Sequence, residues 1–328
     1  MNFSDLHKRI LEVDDLSFDA LTMEVFNYQS KHCKIYNRFL ELLHIDTTNI
    51  KKKEDIPFLP IEFFKNFTIA DSDSDFETVF ESSSTTGIGA SKHFVRDLKF
   101  YLSSCKNSFS QIIGDPANYC HLALLPSYIE RGNSSLIAQV SEFINLSQFK
   151  QSSFFLHHQD TLKQTLQSNI DQNVPTVLWG VTYALLDFAE QYPMPLNDTI
   201  VMETGGMKGR RKEITRTELH DKLIDAFGVQ QIYGEYGMTE LMSQAYSKSN
   251  GLYQCPNTMR IHIREINDPF SGPIYNRHGA VNIIDLTNLH SCSFISTSDL
   301  GKAKDPSIFE ILGRIDHSDT RGCNLMLS

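Results

Sequence analysis

From residue 119 to residue 301 the chain alternates short apolar runs with stretches of helical spacing. YCHLALLP (119–126), TVLWG (176–180), TIVMETGG (199–206), VQQIYGEYG (229–237), AVNIIDL (280–286) and CSFISTSDLG (292–301) each end in turn-forming residues. Runs this apolar predict buried strands. Between several of them, SSLIAQVSEFINL, VTYALLDFAEQY and TRTELHDKLIDAFG place apolar residues every three to four positions and predict helices. Such a chain folds as an α/β protein with helices covering its β-sheets, and ligands of these folds sit where strands end in loops.

The flanking text differs. In the first 45 residues Ile10, Leu11, Leu16, Phe18, Leu21, Met23, Val25 and Phe26 give an imperfect helical spacing. At Ile56 the text becomes IPFLPIEFFK, where Pro57 and Pro60 oppose a helix and an extended strand opening a new lobe is expected. The expected division is a helical segment 1–55, an α/β core 56–312 and a tail 313–328.

Composition narrows the function classes. With 41% hydrophobic and 21% charged residues, the 328-residue chain can bury a large core. A net charge of −10 opposes a nucleic-acid partner, and the one basic run, Lys51–Lys53, is followed at once by Glu54 and Asp55. No stretch reaches the roughly 18 apolar residues of a membrane span, and MNFSDLHKRI lacks the apolar run of a secretory signal. Six cysteines without CxxC spacing read as reduced thiols, so a cytoplasmic protein is expected. His157-His158 and Cys120-His121 lack a second half at zinc spacing and read as surface or core residues.

Three loops can carry chemistry. ESSSTTGIGASKHF (81–94) holds four serines, two threonines and two glycines. Hydroxyls and free backbone N–H groups of that kind can cradle phosphate, although the GK[ST] ending of a P-loop is absent; composition by itself favours a flexible surface loop. YGEYGMTE (233–240) offers two rings that can stack on a base, a hydroxyl for phosphate at Thr239 and a hard oxygen ligand for Mg²⁺ at Glu240. A turn with core tyrosines is its other reading. In STSDLG, Asp299 can accept from two ribose hydroxyls, as can many surface aspartates.

Taken in order, SSSTTG, YGMTE, the aspartate of STSDLG and GRID (313–316) resemble the phosphate loop, adenine and metal segment, ribose aspartate and hinge of the adenylate-forming (ANL) superfamily. Within it, LPSYIERGNSSLIAQ (125–139) and METGGMKGRRKEI (202–214) are similar to segments of the LuxE-type acyl-protein synthetases. The resemblance covers about residues 55 to 328. It implies an ANL-type large N-terminal domain, activation of a carboxylic (fatty) acid as acyl-AMP with ATP and Mg²⁺, and transfer to a thiol.

Carried over by position, Ser83, Ser84, Thr85, Thr86 and Gly87 would hold the β- and γ-phosphates, and Gly205 and Gly206 would border adenine. Tyr236 would stack on the base within a nucleotide-binding run of Tyr233, Gly234, Glu235, Tyr236, Gly237 and Met238. Thr239 would contact the α-phosphate, Glu240 the metal, Asp299 the ribose, and Arg314 ribose or phosphate. The sequence departs from the pattern at Ser84, where the superfamily has glycine. Lys92 also lies farther from Gly87 than the superfamily's lysine, and reads as a phosphate cation or as a solvated lysine.

The superfamily continues past the hinge into a small domain with a bridging lysine, whereas twelve residues follow Asp316 here, so the expectation is a chain lacking that domain. LuxE-type members also stop early. Their acyl acceptor is a cysteine near the C-terminus, the place of Cys323, and a partner acyl reductase receives the acyl group. The other cysteines read as packing residues. Two alternatives remain at this stage: a ligase loading coenzyme A or an acyl-carrier protein, and a non-catalytic nucleotide-binding subunit.

Overall fold

The computed structural model describes residues 2–71, 76–82, 89–126, 133–205 and 214–315. The N-terminal segment is helical as its spacing predicts: α1 (Phe3–Leu11), α2 (Phe18–His32) and α3 (Lys34–Leu42). Leu16, counted in that pattern, sits in the intervening turn and is 93% exposed. The expected extended run from Ile56 is brief. β1 (Leu59–Pro60) pairs in parallel with a distant strand, and the chain then coils into a short helix, α4 (Phe63–Asn66), where no further proline opposes it.

The following elements build the sheets. β2 (Thr78–Glu81) and β3 (Lys92–Val95) form an antiparallel hairpin, and α5 spans Leu98–Ile112. β4 (Cys120–Leu124), α6 (Ser135–Leu146), β5 (Ser153–Phe154), α7 (Gln159–Asp171), β6 (Thr176–Gly180), α8 (Thr182–Gln191), β7 (Ile200–Glu203), α9 (Arg216–Phe227) and β8 (Tyr233–Tyr236) follow in alternation. The remainder is almost entirely strand: β9 (Ala245–Ser247), β10 (Leu252–Gln254), β11 (Met259–Arg264), β12 (His278–Asp285), β13 (Phe294–Asp305) and β14 (Ile308–Arg314).

Among the described residues one large mixed sheet runs β11-β12-β13-β14-β10-β9-β8-β7-β6-β4-β5. Its β5-β4-β6-β7-β8 half is parallel and the rest of that run antiparallel, while β1 joins β13 in parallel at the side. Every residue of β4 and β6 is buried. Because strand side chains alternate, both faces of these strands must be covered, which explains the uninterrupted apolar text of HLALL and TVLWG. The helix preceding β8 is delimited chemically. Thr215 and Glu218 form a reciprocal capping box at the start of α9, and Gly228, at φ +60°, closes its end.

The N-terminal helices are tied to the loop between β12 and β13. Gln29 Nε2 donates to the carbonyls of Asn288 and Leu289 at 2.8 and 3.0 Å, and Gln29 Oε1 accepts from Ser293 N at 2.9 Å. A buried amide satisfied on both sides fixes that loop, which lies beside the candidate site.

Candidate functional site

β8 ends at Tyr236, and its hydroxyl donates to Asp299 Oδ2 on β13 at 2.7 Å. Asp299 pairs directly with Arg314 of β14, whose Nε lies 3.8 Å from Asp299 Oδ1. The Asp299 side chain is 13% exposed and that of Arg314 87%. Burial raises the Asp299 carboxyl above its usual value, while the Tyr236 hydrogen bond and the Arg314 charge oppose the rise. The Tyr236 ring packs edge-on against Phe309 at 5.2 Å and tilts over Tyr253 at 5.8 Å. This is a carboxylate oriented by a phenol beside a solvent-facing guanidinium, a set able to accept hydroxyl donors and attract an anion.

The turn after β8 carries Gly237 to Glu240. His93 Nδ1 lies 2.9 Å from the Thr239 carbonyl, which can only accept, so Nδ1 carries the proton and Nε2, 3.0 Å from Ser291 Oγ, accepts. Burial lowers the His93 pKa to about 4, so the ring is neutral at physiological pH. Asn288 Nδ2 donates to the Glu240 carbonyl at 2.8 Å. The Glu240 side chain is buried, and burial pushes its carboxyl up against the pull of Ser91, Lys65 and Arg314. The turn is therefore braced from β3 and from the β12–β13 loop.

The turn after β7 brings Thr204 and Gly205 to the same end of the parallel strands. Gly205 has φ +74°, a conformation that favours glycine, and its N–H donates to Glu203 Oε1 at 2.7 Å. Thr182 Oγ1 donates to the same oxygen at 2.5 Å. At Gly237 a Cβ would stand 2.2 Å from Glu235 Oε1, so a side chain there would displace that carboxyl.

The run Tyr233–Met238 is not one surface. Strand alternation puts Gly234 and Tyr236 on one face, and Tyr233 and Glu235 on the other. Glu235 is buried beneath α5, and burial, with the Glu203 charge second, pushes its carboxyl up to about 8. Lys92 lies opposite Glu81 on the hairpin, 3.4 Å from Glu81 Oε1 and 53% exposed. Ser83, Ser84, Thr85, Thr86, Gly87, Gly206, Asp316 and Cys323 lie outside the described residues.

His121 is a core residue: Trp179 Nε1 donates to its Nδ1 at 3.0 Å, and its Nε2 donates to the Pro116 carbonyl at 2.9 Å. His157 and His158 lie at the surface. Cys33, Cys105, Cys120, Cys255 and Cys292 are all free and buried, as expected of packing residues. Among the described residues no group of three or more candidate ligands could hold a metal ion, and no helix is long and apolar enough to cross a membrane. A single carboxylate such as Glu240 suits a Mg²⁺ that arrives on nucleotide phosphates and takes its remaining ligands from them and from water. Sequence reading missed His93, Asn288 and Ser291. Only His93, next to Lys92 in a loop already singled out, carried a signal.

No family model matches the chain. Over 95 residues, 24% of the chain, it is 30% identical to a long-chain-fatty-acid–luciferin-component ligase of Photorhabdus luminescens, 80% of which is spanned. The chain belongs to the adenylate-forming superfamily. Solved structures agree on the fold. A 2-hydroxyisobutyryl-CoA ligase in complex with 2-HIB-AMP and CoA superposes with TM-score 0.66 at 16% identity, over 97% of this chain and 70% of that one. ATP-bound MatB from Rhodopseudomonas palustris gives 0.53 at 15% identity over 74% of this chain, which spans about half (49%) of that protein.

Proposed function

We propose that the chain is an acid–thiol ligase of the LuxE type, joining a fatty carboxylic acid to the adenylyl group of ATP and passing the acyl group to the thiol of Cys323. A partner such as an acyl reductase would receive it. The observation that carries the reading is the Tyr236–Asp299–Arg314 cluster, assembled from the YGMTE, STSDLG and GRID segments. The 30% identity to a long-chain-fatty-acid ligase supports the acid class.

In the first step a carboxylate oxygen of the acid attacks the α-phosphorus, the bond to the bridging oxygen breaks, and pyrophosphate leaves. Positioning and charge neutralisation dominate such transfers. Asp299, oriented by Tyr236, accepts from the ribose, while Arg314 supplies an exposed cation against ribose or phosphate. Thr239, in a turn braced by His93, donates to the α-phosphate. Gly205 and Gly206 border adenine, and Ser83 to Gly87 hold the outer phosphates. Bound Mg²⁺, with Glu240 as its protein ligand, would neutralise phosphate charge.

In the second step the Cys323 thiolate attacks the acyl carbonyl, the carbon–oxygen bond to AMP breaks, and AMP departs with the electron pair. The thiol proton goes to solvent. The five described cysteines are poor candidates, because burial raises their thiol pKa values, that of Cys33 to about 11, and holds them protonated.

The test is incubation with ATP, Mg²⁺ and labelled fatty acids of graded length. Pyrophosphate release and hydroxylamine-sensitive label on the protein are expected. Asp299→Ala should slow pyrophosphate release by about 10²-fold or more. Cys323→Ser should keep that release and lose the label. No release with any acid would overturn the ligase reading, and undiminished label on Cys323→Ser would overturn the acceptor.

A further inference from the structure

A cavity of about 800 Å³ opens between the N-terminal helices and the end of β3 opposite Lys92, with Phe3, Tyr28, Lys31, His32, Asp71 and Arg96 on its walls. Its volume lies in the range of small-molecule sites. One wall is a single face of α2, since Glu24, Asn27, Tyr28 and Lys31 recur at helical spacing. The floor is polar and buried. Asp71 Oδ2 accepts from Tyr28 Oη at 2.8 Å, His290 Nδ1 at 2.8 Å and Arg96 Nη1 at 2.9 Å.

The balance of donors and acceptors identifies the ligand. Carboxylate oxygens on the walls already have donors: Asp71 Oδ2 takes the three above, and Glu24 Oε1 and Oε2 take Arg9, at 3.0 and 2.5 Å. Two carbonyls in the last turn of α2 are engaged too, that of Gln29 by Cys33 N at 2.9 Å and that of Ser30 by Asn37 Nδ2 at 2.8 Å. Donors remain in excess. Arg96 commits Nη1 to Asp71 and keeps its other N–H groups, while Lys31 and His32 are exposed at the rim. The Asp71 contact and the Phe3 ring, 5.2 Å from the guanidinium carbon, hold Arg96 in place before any ligand arrives. Tyr28 stacked on His32 at 4.6 Å, with Phe3 edge-on to Tyr28 at 5.6 Å, supplies flat apolar surface beside these cations.

We infer that this cavity is a second small-molecule site, separate from the Tyr236–Asp299 cluster, and that it binds an anionic ligand with a phosphate or carboxylate group on a flat ring. The inference stands apart from the ligase reading, and its test does not require turnover. Phenyl phosphate titrated into the full chain at low salt should bind one-to-one, more weakly as salt rises, and at least about tenfold more tightly than phenol. Benzoate in place of phenyl phosphate distinguishes the two acidic groups. Lys31→Glu, at an exposed position, should weaken phenyl phosphate about tenfold or more, and Asp299→Asn should leave it unchanged. Phenol binding as tightly as phenyl phosphate, an unaffected Lys31→Glu, or a loss in Asp299→Asn equal to that in Lys31→Glu would each overturn the site.

Discussion

Two buried carboxyl groups on either side of the YGMTE turn are handled in opposite ways. Asp285 is fully buried and accepts from Met242 N, Ser243 N, Ser243 Oγ, Thr287 N and Thr287 Oγ1, all within 3.1 Å. Glu235 is 8% exposed and has no hydrogen-bond partner among the described residues, and its neighbour Glu203 adds a like charge. Low dielectric disfavours a bare charge in both places. Donors surround one carboxyl and oppose the rise that burial causes, whereas a proton neutralises the other. Asp285 thus locks the chain after Glu240 to the end of β12, whereas Glu235 leaves the reverse face of β8 responsive to pH.

The largest expected effect tests the donor-filled member. Asp285→Ala strands two hydroxyls and three backbone N–H groups, and should cost about 3–5 kcal/mol in denaturant unfolding. A cost below about 1 kcal/mol would break the contrast. The second test concerns the proton. With its folded pKa raised to about 8, Glu235 retains in the native state a proton that the unfolded chain releases near pH 4.5. Its stabilising contribution is therefore complete below pH 4.5 and falls as pH rises to about 8, by at most about 1.4 kcal/mol per unit. Glu235→Gln should flatten that slope, leaving what Glu203, Glu240, Asp285 and Asp299 contribute, whose carboxyls burial also raises. An unchanged slope in unfolding measured from pH 5 to 9 would refute the assignment.

Smaller effects sharpen the comparison around the same turn. His93→Phe removes a partner from the Thr239 carbonyl and from Ser291, and should slow pyrophosphate release about tenfold, with partial recovery in His93→Gln, which restores a donor and an acceptor. Thr215→Ala, remote from the cluster, should cost about 1 kcal/mol through its capping box and leave the pH slope intact. Lys92→Ala removes only a half-exposed ion pair with Glu81 and should change stability by less than about 1 kcal/mol. A much larger stability loss would show that the hairpin pair is more than a surface contact.

Legibility in the sequence followed the range of the interactions. TVLWG is a strand over Thr176–Gly180, as its apolar run predicts, and TRTELHDKLIDAFG contains α9 between the threonine cap and the glycine stop. The helix α5 was missed because serines interrupt its pattern, yet Ser104 and Ser108 are buried within it. β9 and β10, three residues each, are too short to show a period. Tyr236, Asp299, Glu240 and Arg314 were legible as candidates through motif order. The partners that brace them were not, since His93 and Ser291 lie 198 residues apart and neither belongs to a motif that names the other.

Local chemistry in the sequence determined which segments become strands and helices, where α9 starts and stops, and which loops carry hydroxyl, carboxylate and thiol groups. Tertiary structure decided the rest. Tyr236 meets Asp299 across 63 residues because β8, through β9, β10 and β14, reaches β13 in one sheet. Glu235 keeps its proton because burial and Glu203 act together, and the cavity beneath α2 exists because Asp71, Arg96 and His290 converge from three segments. Backbone preference is set by a few neighbouring residues, but desolvation, charge pairing and cavity shape depend on register and packing between residues far apart in the chain.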